Sequence, residues 1–200
     1  MSSSSSIIEP GSLIINVEDR ILGKFYYDDF DVDVQKIVSA AGIGYCLDLD
    51  KDYPYGQSFS SHGKATKDIN NILANGYPNK SAAELDVSDD DEGYLATQIA
   101  LWALFEGYNI DKIDTDNEDV NAAAKDIYTN AFNSKRYAME NDTIIYKCGN
   151  NSIQAVVIYI SQPIEVLPIP PVEEIPPVTE EKPTIDTGTG GINDNKPVGK

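Results

Sequence analysis

The chain is poor in cysteine, histidine, positive charge and long apolar runs, and each shortage removes a class of function. Two cysteines in 200 residues cannot build a disulfide scaffold. Fifteen Lys and Arg stand against 33 Asp and Glu, a formal charge of −18. Nucleic acid and anionic membrane surfaces both need clustered basic side chains, so neither is an expected partner. No apolar run approaches the roughly 20 residues of a spanning helix, so no membrane insertion is expected in this segment. Residues 1–6, a Met and five serines, lack the basic and apolar regions of a signal peptide. They read as a disordered leader or an expression scar, and their lack of a signal says little about compartment if the chain is a piece of a longer one.

What the chain does have is a hydrophobic content of 41 %, enough for a core, at a length suited to one domain with or without a tail. Eight of the 11 prolines fall in residues 163–200. Repeated proline removes backbone donors and favours polyproline II, so this stretch is expected to be a semi-stiff stalk linker, or else a disordered tail. The body, 7–162, mixes two periodicities. Strands are expected at 13–17, 21–27 and 43–49. A hairpin is expected from 143–148 and 153–161 around Gly149-Asn150-Asn151-Ser152. A helix is expected over 64–74, stopped by Gly76 and Pro78, and another over 94–106, stopped by Gly107. Thr115 and Glu118 have capping-box spacing and would open a third helix to about Tyr137, with Val120, Ala124, Ile127, Tyr128 and Ala131 on one face. Strands at both ends with helices between them make an α+β domain. Its expected form is a barrel- or sandwich-like sheet framework with an inserted helical subdomain.

Few residues in this body are candidates for chemistry. The helix around Gln98 is apolar nearly all round, and Gln98 shares a face with Tyr94, Leu101, Trp102 and Phe105. A buried amide without partners costs about 1–3 kcal/mol. Gln98 is therefore either satisfied by backbone groups or placed there to react. Cys46, in a strand-like segment, is a buried thiol, half of a disulfide with Cys148, or a nucleophile. His62, the only histidine, sits in an expected turn and suggests a Cys46–His62 dyad or a proton carrier, but no protease signature surrounds Cys46. Five acids between Asp86 and Glu92 suggest a solvated helix start, or a lure for a lysine-rich target. The acidic run 114–119 lacks the glycine and spacing of a calcium loop, so capping is the simpler role and no metal or cofactor is expected.

Two of these elements together form a pattern. Tyr45-Cys46-Leu47 and, 52 residues after the cysteine, Gln98 within Thr97-Gln98-Ile99-Ala100-Leu101-Trp102 resemble the motifs of the thioester (TQXA) domains of Gram-positive surface adhesins. The resemblance implies an internal thioester between Cys46 and Gln98, shielded or flanked by Tyr45, Thr97 and Trp102. An amine, most simply a Lys of a host surface or matrix protein, would attack the Gln98 carbonyl and expel Cys46. The domain would act once and would not be a turnover enzyme. The resemblance further implies an extracellular location, stalk domains downstream, and cell-wall anchoring through a C-terminal part beyond this chain. The alternative is a non-covalent binding or stalk module whose cysteines are inert or disulfide-bonded.

Overall fold

Six antiparallel strands close into a barrel in the computed structural model, which describes residues 12–133 and 143–159. All of these lie within the unit Met1–Pro163. The expected leader at 1–6 and linker at 163–200 fall outside the described residues. The strands are β1 (Ser12–Tyr27), β2 (Phe30–Ser39), β3 (Gly42–Cys46), β4 (Tyr55–Lys64), β5 (Thr143–Cys148) and β6 (Val156–Tyr159). Around the barrel they run β1-β2-β3-β6-β5-β4, and β1 closes the ring on β4. Three α-helices lie between β4 and β5: α1 (Lys67–Asn75), α2 (Asp90–Glu106) and α3 (Glu118–Asn133). The α+β architecture with helices inserted into a sheet framework is as expected.

Several local expectations change. The two short strands expected at 13–17 and 21–27 are one 16-residue strand, β1. Register shifts between Val17, Ile21 and Gly23 absorb the charged stretch that separates the apolar runs. β4 carried too little apolar signal to be expected, and β2 was not expected either, although Phe30, Val32 and Val34 alternate along it. β4 buries only Phe59 along its length, and β2 follows a turn made of Asp28 and Asp29 in place of the usual Asn-Gly. The turn still forms because Asp28 takes up a positive φ of 48°. His62 is therefore not in a turn. It is exposed at a bulge of β4, between Ser61 and Gly63.

The helix starts are set by caps. Thr66 accepts from the Ile69 amide, so α1 begins three residues later than expected. Asp89 accepts from the amides of Asp91 and Glu92 at 3.0 Å, so α2 begins four residues earlier, inside the acidic run. The Thr115 capping box is not formed. Asn117 is the cap of α3, accepting from Asp119 and Val120, while the Thr115 hydroxyl donates to the Asn117 carbonyl and to Asn121. A capping box does form elsewhere, between Ser81 and Glu84.

The helix α2 is the hub of the packing. Every residue from Gly93 to Ala103 is buried, as an all-round apolar surface demands. It lies against α1 and α3 on one side and touches β1 and β3 on the other. Fully burying each of its large side chains contributes roughly 1.5–3 kcal/mol.

Candidate functional site

The site begins where a β-ladder stops. β2 and β3 pair at Ser39 with Gly42, Val38 with Ile43 and Ile37 with Gly44, and no further, although β3 runs on to Cys46 and β2 extends back to Phe30. Beyond Ile37 the facing edges of both strands need other partners, because buried backbone groups left unpaired are costly. Side chains supply them. The Tyr94 hydroxyl accepts from the Ile37 amide at 3.0 Å and donates to the Gly44 carbonyl at 2.8 Å, standing inside the last rung. One helical turn on, Gln98 continues the substitution. Its Oε1 accepts from the Cys46 amide at 2.9 Å, and its Nε2 donates to the Cys46 carbonyl at 2.8 Å. Across the seam, the Tyr53 hydroxyl accepts from the Gln35 amide at 3.4 Å and donates to the Asp33 carbonyl at 2.9 Å.

The structure thus brings Cys46 and Gln98 together, with the carboxamide clasped to the backbone of residue 46 as a neighbouring strand would be. The opposite edge of β3 is held by β6, through the Cys46–Val156 pair and the Leu47 amide on the Ala155 carbonyl. Gly44 lets this packing close. A Cβ there would stand 2.5 Å from Ile37 and 2.9 Å from Val156. Cys46 and Gln98 are 0 % and 1 % exposed. Burial, assisted by the Asp48 carboxylate, holds the Cys46 thiol well above its ordinary pKa. Burial likewise raises the Tyr94 hydroxyl, so it remains a neutral donor.

The other residues singled out in the sequence frame this pair. Tyr45, alternate to Cys46 on β3, stacks on Tyr94 with ring centroids 4.6 Å apart, and its hydroxyl donates to the Tyr77 carbonyl. Thr97 fastens α2 to the turn after α1: its hydroxyl donates to the Gly93 carbonyl and accepts from the Tyr77 amide at 2.9 Å. Trp102, one turn after Gln98, sits edge-on to Phe25 at 5.6 Å, fully buried, with no hydrogen-bond partner on its indole nitrogen. Tyr53 and Tyr94 are the functional candidates that sequence reasoning missed. Tyr94 shares the Gln98 face, and that spacing was the available signal.

Other candidates separate from the site. His62 lies on β4, three strands from β3 in either direction around the barrel, so no Cys46–His62 dyad exists. Both cysteines are free. Cys46 pairs with Val156, Val156 pairs with Tyr146, and Cys148 is two residues further along β5. Two strand spacings and two residue rises put the cysteine Cα atoms roughly 11 Å apart, beyond the roughly 7 Å a disulfide tolerates. In the acidic run, Asp89 caps α2 and Asp91 pairs with Arg20 and Lys36. In the 114–119 loop, the Asp114 carboxylate accepts from the Thr115 amide and the Asn121 side chain. Among the described residues no group of acids, histidines or cysteines is arranged to hold a metal ion, and no helix is long and apolar enough to cross a membrane.

Comparison with known proteins agrees with the geometry. A family model described as the thioester domain matches residues 43–133, a span that contains both Cys46 and Gln98. Among solved structures, the chain is similar to the Bacillus anthracis TIE protein (22 % identity, TM-score 0.57, covering 68 % of this chain and 29 % of that one). It is similar to the thioester domain of the Enterococcus faecium TIE86 protein (22 % identity, TM-score 0.56, 73 % and 64 %). It is also similar to the N-terminal domain of the Streptococcus pyogenes pilus tip adhesin Cpa (15 % identity, TM-score 0.55, 81 % and 98 %). The chain spans under a third of the first of these proteins and less than two-thirds of the second. No curated protein matches it. The resemblance to thioester domains of Gram-positive surface adhesins, read from two short motifs, is borne out by the family model and by the fold.

Proposed function

We propose, from a fold shared with the thioester domains of Gram-positive surface adhesins, that Cys46 and Gln98 condense into an internal thioester and that this bond captures an amine covalently. The observation that carries the reading is the clasp of the Gln98 carboxamide on the Cys46 backbone inside a closed site. Two side chains fixed in this way gain an effective concentration of roughly 10⁵ M or more over free reactants. The Cys46 amide already donates to Oε1, so it polarises the carbonyl and stays on the oxygen as charge develops there. The Cys46 sulfur bonds to the Gln98 Cδ, the Cδ–Nε2 bond breaks, and the thiol proton leaves with nitrogen as ammonia. Moving that proton directly to nitrogen avoids a free thiolate, which burial disfavours at this position.

In the second reaction an amine nitrogen bonds to the Gln98 Cδ and the Cys46 sulfur leaves, taking a proton. The product is an amide between this domain and its ligand, with the Lys side chain of a host surface or matrix protein as the expected target. The glutamine is consumed, so the domain acts once and needs no cofactor. A covalent bond has no dissociation equilibrium, whereas non-covalent affinity saturates near roughly −20 kcal/mol. Such a bond suits an extracellular domain carried on stalk domains and anchored to the cell wall through a C-terminal part.

Intact-mass measurement tests this directly. The freshly purified chain is expected to be lighter than its sequence by one ammonia, Cys46→Ala to have the full mass, and methylamine to add to the wild type only. A full-mass wild type with a free Cys46 thiol would leave a non-covalent module.

A further inference from the structure

A cleft of about 460 Å³ opens where β2 has parted from β3. Its walls include Asp33 and Gln35 of β2, Tyr53 and Asp52 from the segment after β3, and Gln154 ahead of β6. The register places it. Continuing the register past the last rung, Gln35, two residues before Ile37, would be level with Cys46, two residues beyond Gly44. Tyr53 is the partition. It lines the cleft and bridges the Gln35 amide and the Asp33 carbonyl.

The cleft is lined by two side-chain oxygens that lack a hydrogen bond. Gln154 is 1 % exposed, and its Nε2 donates to the Lys51 carbonyl at 2.8 Å, yet its Oε1 has no hydrogen-bond partner. Asp33 is half exposed as a side chain, but its Oδ1 is shielded and also lacks a hydrogen-bond partner. Its nearest cation is Lys24 Nζ at 3.4 Å, and that ammonium is held more closely by Asp31. Asp52 adds a second carboxylate, while the lining cation Lys51 is paired with Asp48 at 3.1 Å. Two shielded oxygens without a hydrogen bond, only Asp33 Oδ1 having an ammonium nearby, in a net acidic wall, fit a group that brings several N–H donors and a positive charge.

We propose that this cleft is the subsite for the alkylammonium head of the incoming lysine, received by Asp33 Oδ1 and Gln154 Oε1, with Tyr53 as the gate to the Gln98 carbonyl carbon. The assignment rests on the thioester reading and adds to it the group that selects the nucleophile. The chemistry balances. The ammonium gives one proton to the carboxylate or to water, and its nitrogen bonds to the Gln98 Cδ. The Cδ–Sγ bond breaks, and the sulfur takes the second proton as the Cys46 thiol. One thioester and one ammonium become one amide, one thiol and one released proton.

The test compares a cationic with a neutral nucleophile. Nα-acetyl-lysine methylamide and hydroxylamine, which is uncharged at neutral pH, are reacted with the full chain, and adducts are followed by intact mass. The readout is the ratio of the two second-order rate constants. Asp33→Asn and Gln154→Leu are each expected to lower the lysine-to-hydroxylamine ratio roughly tenfold, the size of one charge-assisted hydrogen bond. Tyr53→Ala is expected to raise both rate constants. An unchanged ratio in Asp33→Asn overturns the assignment while leaving the thioester intact, as the ammonia-deficient mass of the unreacted variant reports. A wild type without that mass deficit fails earlier and takes the cleft assignment with it. Should Gln154→Leu not fold, the half-exposed Asp33 position decides alone.

Discussion

Gln98 occupies the position of a strand residue while belonging to a helix. Both ends of its amide are spent on one backbone residue, Cys46, so the cost of an unpartnered buried amide does not arise. The hydrogen bonds satisfy the glutamine and at the same time hold its carboxamide against residue 46, so a satisfied glutamine and the reactive one proposed above are compatible. The thiol is the other half of the argument. Burial first, and Asp48 second, hold its pKa above the ordinary value of about 8.5, so the folded chain keeps a proton that the unfolded chain releases. The stability this contributes is complete below about pH 8.5 and is lost as the pH rises toward the folded pKa. In Gln98→Ala, where no thioester can form, the unfolding free energy is expected to fall above about pH 8.5 more steeply than in the Cys46→Ala, Gln98→Ala double variant. Urea unfolding at stepped pH measures the difference, and parallel pH dependences would refute it.

At the scale of elements, caps decided where helices begin, and the sequence was least clear there. Thr115 and Glu118 have the right spacing, but the chain uses Asn117, whose carbonyl side-chain oxygen reaches two amides while Thr115 serves the loop. Asn117→Ala is therefore expected to cost about 1 kcal/mol, and Thr115→Val to leave the α3 cap bonds in place. Thermal melts of the two variants, with amide exchange at residues 119 and 120, distinguish the caps. The helix α2 was legible because it is apolar all round and ends at a glycine in the left-handed region, Gly107 with φ 70°. β4 was not legible, since a strand that buries one residue in ten has no alternation to read. The seam itself was also hidden. That β2 and β3 part after Ile37 follows from the size of Tyr94 arriving from another element, which no local pattern in either strand encodes.

For the whole molecule, the motif pair carried the site and the inserted-helix order carried the fold class, whereas barrel closure of β1 on β4 depended on one strand, β4, without signal. The net charge of −18 has a consequence at this scale only. Its field draws basic ligands in from a distance, and salt weakens that field as the Debye length falls from about 10 Å at 0.1 M to about 3 Å at 1 M. Capture of a lysine-rich polypeptide is expected to slow several-fold over that range, with the hydroxylamine reaction nearly constant, both followed by adduct mass. Equal salt dependence for the two would show that steering plays no part.

The place of β6 in the barrel bears on how the fold would resist a pull on that strand. It lies between β3, the strand of Cys46, and β5, with a ladder along each edge. A pull applied to the C-terminal end of β6 would run along the strand axis and set both rows in shear. The rungs on either flank must then rupture nearly together, which resists a pull far better than peeling them open one at a time.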